Sequence, residues 1–273
     1  MDVNQFYQLL CNEIELTPGL YPYYKLNEGN ESRRRWRKVY FTQRLEYINR
    51  HIDQFLSNPT ILDCGCGYGS TCLFLAMNNI ETEGITLEYY ADLIAGRKSF
   101  WSQFGNSALF SYRYENLFDN PPAENSLDYI ILQDTLHHIE PIDVGLSIFY
   151  NALKKNGKLI LVEINGASLL ESFIFFLKRG NKKIIEFYDE KLDKMITMGN
   201  EYFRSENHWK KMFADKGFTC EEDAIHYIRY FMPFSFRKNN ENEIIRKEQH
   251  ISLHYPLLKK YGFFGLNMVF TKK

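Results

Sequence analysis

The chain has 273 residues, of which 45% are hydrophobic and 25% are charged, and its formal net charge is −1. This length and balance predict a globular protein with one core of ordinary size and an inserted or appended cap. The near-zero charge gives no basis for general nucleic-acid binding. The aromatic content of 16% favours a large apolar pocket or cap, although core packing explains much of it.

Neither a targeting segment nor a membrane span is predicted. The first six residues are polar and acidic, unlike a signal peptide, and no apolar run approaches the roughly 20 residues of a membrane helix. The five cysteines form an odd number without a C-x-x-C pair, which argues against a disulfide framework or a zinc site. We therefore expect a reduced, cytoplasmic protein.

The N-terminal part, residues 1–57, is predicted to be a helical segment of the cap. Residues 2–16 carry apolar side chains at helical spacing, and a loop follows at Pro18. Ser32 is the expected N-cap of a long helix that runs to about Leu56. The basic residues in its first turns fit a solvated face, or alternatively a contact with an anion or a membrane surface.

A glycine-rich turn follows the first predicted strand. That strand is short and apolar and ends at Asp63, and glycines follow at alternate positions before a helix that begins at Ser70. Strand, glycine turn and helix start together form a pocket where a ligand contacts bare backbone. The dinucleotide fingerprint G-x-G-x-x-G fits poorly, because Ser70 stands where its third glycine belongs.

Beyond this turn, strand patterns alternate with helical patterns. The predicted strands are residues 82–86, 108–112, 127–132 and 158–163, and helices are predicted at 88–101 and 143–153. Such alternation predicts a parallel sheet with helices on both faces. Residues 58–167 are therefore predicted to form the core domain.

The pattern changes after Asn165. An apolar run at residues 169–177 has helical spacing and is followed by basic and aromatic residues, so residues 168–204 are predicted to form a helical cap. This segment could pack on the sheet, close as a lid over an apolar ligand, or touch a membrane surface. Residues 205–273 are predicted to complete the sheet, with a helix at 205–217 and strands at 218–227 and 265–270.

The pattern D-x-G-x-G-x-G from Asp63 to Gly69 resembles motif I of class I S-adenosylmethionine-dependent methyltransferases of the small-molecule type. The similarity extends over about residues 60–165 and, more weakly, over 205–273. It implies an α/β fold, with a doubly wound, Rossmann-like, seven-stranded and mostly parallel sheet whose last strand is antiparallel. It also implies S-adenosyl-L-methionine as the cofactor.

The resemblance assigns a set of residues to the cofactor, with the glycine turn under its methionine part and Asp63 at its polar end. The predicted cofactor-binding residues are Asp63, Gly65, Cys66, Gly67, Thr86, Leu87, Glu88, Tyr114, Glu115 and Gln133. Two positions depart from the family pattern. The second strand ends in Thr86 instead of an acid, so that Glu88 either binds the ribose or only begins a helix. Arg113 replaces an acid near the adenine, and Tyr114 beside it could stack on the base.

His137 and His138 are the predicted catalytic residues. Methyl transfer is an in-line displacement in which the protein mainly supplies alignment, and an oxygen nucleophile usually needs a base. The two histidines follow the fourth strand at the edge where ligands bind, although a packing role is an alternative. Because adjacent histidines lack helical i, i+4 spacing, no metal site is predicted. Asp134 is the expected cap of the next helix.

Together these observations predict a methyltransferase that acts on a small, apolar or aromatic acceptor, at oxygen first and carbon next, in natural-product biosynthesis. Three alternatives stay open: other chemistry on the same cofactor fold, such as cyclopropanation or pericyclic rearrangement; an NAD-dependent oxidoreductase; and a non-catalytic partner subunit. No nucleic-acid partner is expected, peripheral membrane contact stays open, and the oligomeric state is not predicted.

Overall fold

The computed structural model describes residues 1–53, 56–87 and 90–273. Its strands are β1 (Ile61–Cys64), β2 (Thr82–Thr86), β3 (Phe110–Tyr114), β4 (Leu127–Gln133), β5 (Leu153–Ile164), β6 (Ile184–Asp189), β7 (Lys194–Gly199), β8 (Phe218–Cys220), β9 (His226–Ile228) and β10 (Gly265–Lys272). Its α-helices are α1 (Val3–Leu16), α2 (Tyr21–Tyr24), α3 (Glu31–His51), α4 (Ser70–Met77), α5 (Ala91–Trp101), α6 (Ile142–Ala152), α7 (Leu169–Arg179), α8 (Glu206–Ala214), α9 (Glu241–His254) and α10 (Pro256–Gly262).

The central sheet has the strand order β3-β2-β1-β4-β5-β10-β8, and β9 also pairs with β10. Strands β1 to β5 are parallel, whereas β10 is antiparallel to each of its neighbours. β8 and β9 share one edge position, separated by the short 3-10 turn Glu222–Ala224. This confirms the predicted sheet of seven positions with an antiparallel last strand, and it splits the predicted strand 218–227 into two pieces.

Helices cover both faces of the sheet, as the apolar strands predict. Along β4, Ile131 belongs to the core cluster that includes residues of α1, α3, α4 and α5. Its neighbour Ile130 belongs to the opposite cluster, with residues of α6 and α8. Side chains alternate between the two faces of a strand, so a continuous apolar run packs against the helices on both faces of the sheet.

The N-terminal helices differ from their prediction in two respects. Asn30 caps α3, because its side chain accepts from the backbone N–H of Arg33 at 3.1 Å, and the predicted cap Ser32 lies inside the helix. The helix ends at His51 instead of Leu56.

Helix α1 packs in the core layer, although the sequence assigned it to the cap. The fully buried Arg97 of α5 donates to both carboxylate oxygens of Glu13 in α1, at 2.9 and 2.7 Å. Trp101 also donates to Glu13, at 2.8 Å. A buried charge needs such partners to compensate for lost hydration, so this network ties α1 to the core.

The cap segment, residues 168–204, combines a helix with a β-hairpin. The helical prediction is met at α7 but is wrong for residues 184–199, where β6 and β7 pair antiparallel. The hairpin is rich in β-branched and aromatic residues, which favour strands, and its turn contains Asp193 at φ +53°. Helix α7 is exposed over most of its surface, with Phe173 60% exposed, so packing of its apolar face on the sheet is not observed. Within the described ranges, no helix has both the length and the apolar composition that crossing a membrane requires.

Candidate functional site

A deep cleft of about 660 Å³ opens at the carboxyl ends of the parallel strands. This volume and position are typical of small-molecule sites in α/β sheets. The residues that line it come from the glycine turn, the end of β4, helices α2 and α3, and the β6–β7 hairpin. Most of the residues predicted from sequence meet here: Asp63, Gly65, Cys66, Gly67, Thr86, Leu87, Glu115, Gln133, His137 and His138.

The glycine turn uses each glycine differently. A Cβ on Gly65 would lie 2.2 Å from the Thr135 side chain, and one on Gly69 would lie 2.4 Å from the Phe110 ring. Both positions are closed by neighbouring elements. Gly67, at φ +52°, would place its Cβ toward the cleft, where the nearest atom is the Tyr23 hydroxyl at 3.5 Å. Gly67 is therefore the position that leaves bare backbone for a ligand.

Asp63, which is among the residues that line this cleft, has an unsatisfied carboxylate oxygen. Its side chain is only 2% exposed, and Oδ2 accepts from the thiol of Cys72 at 3.4 Å. The other oxygen, Oδ1, is buried and has no hydrogen-bond partner among the described residues. Burial raises the pKa of Asp63 to about 7. Such an oxygen fits the ammonium group of an aminoacyl ligand, which would both pair with it and favour its ionised form.

Thr86, Leu87 and Glu115, which the resemblance assigns to the ribose and adenine end of the cofactor, also line the cleft. Glu88 lies outside the described residues. Glu115 is ion-paired with Arg113, which also donates to Glu83 at 2.6 Å. Tyr114 is not part of the cleft lining; its hydroxyl donates to Asp189 of the hairpin at 2.7 Å. The predicted stacking of Tyr114 on the base therefore has no support from its position.

The histidine pair lies on a 3-10 turn after β4. His137 is buried, and its Nδ1 lies 2.7 Å from a carboxylate oxygen of Glu163 on β5. Burial opposes a charge on this imidazole, but the carboxylate of Glu163 outweighs that effect and raises the pKa of His137. His138 Nδ1 lies 2.8 Å from the carbonyl oxygen of Gly199, and burial together with His137 lowers the pKa of His138.

Glu201 is a site residue that the sequence analysis missed. Its Oε2 lies 3.8 Å from Nε2 of His137, and one ligand atom from each of His137, His138 and Glu201 lies within 4.8 Å of the others. The structure thus forms a potential metal-binding group where adjacency of the histidines had argued against one. No local signal pointed to Glu201, because the contact joins the end of the cap segment to the turn after β4.

Helices α2 and α3 supply a second group of missed residues. Arg44 is ion-paired with Asp134, and its guanidinium lies over the Tyr40 ring at 5.0 Å from the ring centroid. Asp134 therefore does not cap the following turn, which lacks a side-chain cap. Aromatic side chains such as Tyr23 and Phe41 complete this wall.

Comparison with known proteins agrees with this geometry. The family model described as Methyltransferase domain matches residues 34–223. A curated relative, an uncharacterized protein of Synechococcus, is 28% identical over 117 residues, or 42% of this chain. The match spans 28% of the length of that relative.

Solved structures of low sequence identity share the fold. Phosphoethanolamine N-methyltransferase 2 of Haemonchus contortus, in complex with S-adenosyl-L-methionine, matches with a TM-score of 0.56 and 17% identity over 85% of this chain and 52% of that one. A geranyl diphosphate methyltransferase, in complex with GPP and sinefungin, matches with a TM-score of 0.59 and 13% identity. This match covers 90% of this chain and 84% of that one. A [4+2]-cyclase matches with a TM-score of 0.55 and 17% identity, over 85% of this chain and 82% of that one.

Proposed function

We propose that this chain, which belongs to the Methyltransferase domain family, transfers a methyl group from S-adenosyl-L-methionine to a small, largely apolar or aromatic acceptor. The preferred acceptor atom is oxygen, and carbon is the second choice. One observation carries the proposal: a single cleft joins the unpaired Oδ1 of Asp63 and the open backbone at Gly67 to the histidine pair beneath the hairpin.

The cofactor half of the cleft fits S-adenosyl-L-methionine. Gly67 leaves room for the methionine part beside bare backbone, and Asp63 offers a carboxylate oxygen to its ammonium group. Gln133, whose Oε1 accepts from Thr71 at 3.1 Å, borders the same space. When bound, the cofactor supplies a methyl group on a sulfonium leaving group. The remaining cofactor roles predicted for Thr86, Leu87, Glu88 and Glu115 are part of this proposal.

The acceptor half supports an apolar substrate. Phe187, Ile196 and Met198 of the hairpin and Phe41 of α3 line it. Apolar surface removed from water contributes about 25 cal/mol per Å², so these side chains favour an apolar body on the acceptor. Closure of these side chains around a bound acceptor would limit water at the reacting carbon, and alignment of the reacting atoms is the main contribution a methyltransferase makes.

His137 and His138 are proposed to handle the acceptor oxygen. Both line the cleft beyond the glycine turn, on the side covered by the hairpin. The isolated bridge between Ile139 and Met198 holds the hairpin against the turn that carries them. This arrangement supports the cap segment as a lid, because the same strand that covers the acceptor space contacts the 3-10 turn Leu136–His138, here called the catalytic turn.

We also propose that helix α7 makes a peripheral contact with a membrane. Its exposed apolar side chains are Leu169, Leu170, Phe173, Phe176 and Leu177. Basic residues follow at Lys178, Arg179, Lys182 and Lys183, a pattern that suits an anionic interface. Sedimentation with anionic vesicles, reduced by salt and by Phe173→Ser, would support it.

The five free cysteines support a reducing, cytoplasmic setting.

A second candidate is other chemistry on the same cofactor fold. The likeness to a 4+2 cyclase shows that such a protein shares this fold. A pericyclic rearrangement differs from methyl transfer in the fate of the cofactor, because methyl transfer converts it to S-adenosylhomocysteine and a rearrangement leaves it unchanged. Cyclopropanation also forms S-adenosylhomocysteine, but its product keeps two instead of three deuterium atoms of a labelled methyl group. The match to a methyltransferase family leaves the NAD-dependent alternative without support.

The experiment is to incubate the protein with cell extract and S-adenosyl-L-methionine carrying a deuterated methyl group. Mass spectrometry should reveal a small apolar product that carries the label, together with S-adenosylhomocysteine. The Gly67→Val variant should give neither, whereas the surface variant Glu190→Gln should match the wild type. Loss of an extract compound without label or S-adenosylhomocysteine would favour a rearrangement, and a product with two deuterium atoms would favour cyclopropanation.

A further inference from the structure

We propose that His137, His138 and Glu201 bind a divalent transition-metal ion at the acceptor end of the cleft. The ion would hold the acceptor oxygen and acidify its hydroxyl, so this role rests on the proposed methyl transfer. The binding site itself does not, because the three side chains converge without the cofactor: one ligand atom of each lies within 4.8 Å of the others.

The surroundings of both imidazoles are those of metal ligands. His137 Nδ1 lies 2.7 Å from the Glu163 carboxylate, and His138 Nδ1 lies 2.8 Å from the Gly199 carbonyl oxygen. These acceptors place the ring protons on the two Nδ1 atoms and leave each Nε2 with its lone pair. Histidines that bind metals almost always donate their other N–H to a carboxylate or a backbone carbonyl in this way.

Glu201 is fixed near the histidines by contacts on either side of it. Before it, Gly199 packs directly on the catalytic turn, where a Cβ would lie 2.0 Å from the carbonyl oxygen of His137. After it, the buried Arg204 donates to Glu140 at 2.8 Å. Glu201 itself adopts φ +53°, a conformation that is unfavourable for glutamate. The chain is thus anchored on both sides of a carboxylate that faces His137.

The ligand atoms, which lie within 4.8 Å of one another, would have to draw closer to complete the coordination. Bonds of about 2.1 Å to a tetrahedral ion place ligand atoms about 3.4 Å apart. Glu201 Oε2 and His137 Nε2 are 3.8 Å apart, and the Glu201 side chain is 39% exposed and can move inward. The buried carboxylate of Glu163 adds a negative charge behind His137 that favours a cation.

The donor set selects the class of metal. Two imidazoles and one carboxylate suit Zn²⁺, Fe²⁺ or Co²⁺, whereas Mg²⁺ and Ca²⁺ prefer oxygen ligands. Three protein ligands leave coordination positions open for a substrate oxygen. A metal-bound hydroxyl loses its proton more readily, so the acceptor would become a better nucleophile without a separate base. Its proton would pass to solvent, and the C–S bond of the cofactor would break as the new O–C bond forms.

The test begins with the 273-residue chain after chelation and uses Co²⁺ as the probe. Absorption titration should show visible bands that saturate at one ion per chain, and Zn²⁺ should displace them. Glu201→Gln should weaken Co²⁺ binding at least about 10-fold, and Glu163→Gln should weaken it by about 10- to 100-fold. Glu190→Gln, on the turn of the same hairpin, is the matched control and should bind as the wild type does.

Absence of the visible bands in the wild type, or equal Co²⁺ affinity in Glu201→Gln and Glu190→Gln, would overturn the site. Thermal unfolding of each variant checks that the fold is kept. Cofactor affinity of the chelated protein, measured separately, tests the proposed function independently of the metal. Full methyl transfer by the chelated protein would overturn the metal's catalytic role while leaving the methyltransferase proposal intact.

Discussion

The carboxylate of Glu163 lies 2.7 Å from Nδ1 of His137, and both side chains are almost completely buried. Glu163 also accepts from the backbone N–H of His137 at 3.2 Å. One carboxylate at the end of β5 therefore fixes both the ring and the backbone of the turn after β4. This contact sets which nitrogen of His137 faces the cleft, under either the base or the metal interpretation.

Replacement of Glu163 by Gln should lower turnover by about 10- to 100-fold while cofactor affinity changes by less than about threefold. Gln keeps the shape of Glu but not the charge that orients and polarises His137. Turnover with saturating cofactor and calorimetry of cofactor binding separate the two effects. Parallel losses in both quantities would assign Glu163 to the structure of the whole cleft.

His138→Gln should lower turnover by about 100-fold or more and spare cofactor affinity, because His138 lines the cleft in the part that we propose for the acceptor. The measurement is the rate of S-adenosylhomocysteine formation beside calorimetric affinity. Equal losses of rate and affinity would mark the pair as packing residues.

Cofactor affinity should rise with pH through about 7. Burial raises the pKa of Asp63 to about 7, so the ligand-free carboxyl is largely protonated below that pH. The cofactor's ammonium group needs the ionised form, so affinity should fall about tenfold for each pH unit below 7. The raised pKa also means that ionisation of Asp63 destabilises the ligand-free fold as pH rises from about 4 to above 7.

Calorimetry between pH 5.5 and 8.5 measures this dependence. Asp63→Asn removes the titrating group, so this variant should bind weakly and with little dependence on pH. A wild-type affinity that stays constant across the range would show that Asp63 does not carry the ammonium group.

Glu13→Gln should lower the free energy of unfolding by about 3–5 kcal/mol, because it leaves the buried charge of Arg97 without its anionic partner. Chemical denaturation measures this change. Glu15→Gln is the matched control on the exposed face of α1 and should change stability by less than about 0.5 kcal/mol. Similar values for the two variants would contradict the importance assigned to the buried pair.

The sequence predicts the sheet well because local patterns determine it. Ile130 and Ile131 are apolar neighbours in a short run, which is typical of a strand buried on both faces, and glycines after Asp63 mark the ligand turn. The hairpin at residues 184–199 was harder to predict from the sequence. Its aromatic and apolar residues suit a helix or a strand, and only its pairing and its contact with Ile139 decide between them.

Long-range pairs were not predictable from spacing. Arg44 meets Asp134, and Glu201 meets His137, only because separate elements converge at the cleft. Asp134 has the residue type of a helix cap, but the charge of Arg44 gives it a different partner. The cofactor roles assigned to individual residues stay predictions.

The central claim is that this cleft binds S-adenosyl-L-methionine through Asp63 and the glycine turn. Its most direct test is calorimetric titration of the wild type and Gly67→Val with S-adenosyl-L-methionine and with NAD. We predict that the wild type binds one S-adenosyl-L-methionine per chain and no NAD, and that Gly67→Val binds neither, because valine is strained at φ +52° and would distort the turn and enter the space beside it. Preferential binding of NAD by the wild type, or undiminished cofactor affinity in folded Gly67→Val, would contradict the account.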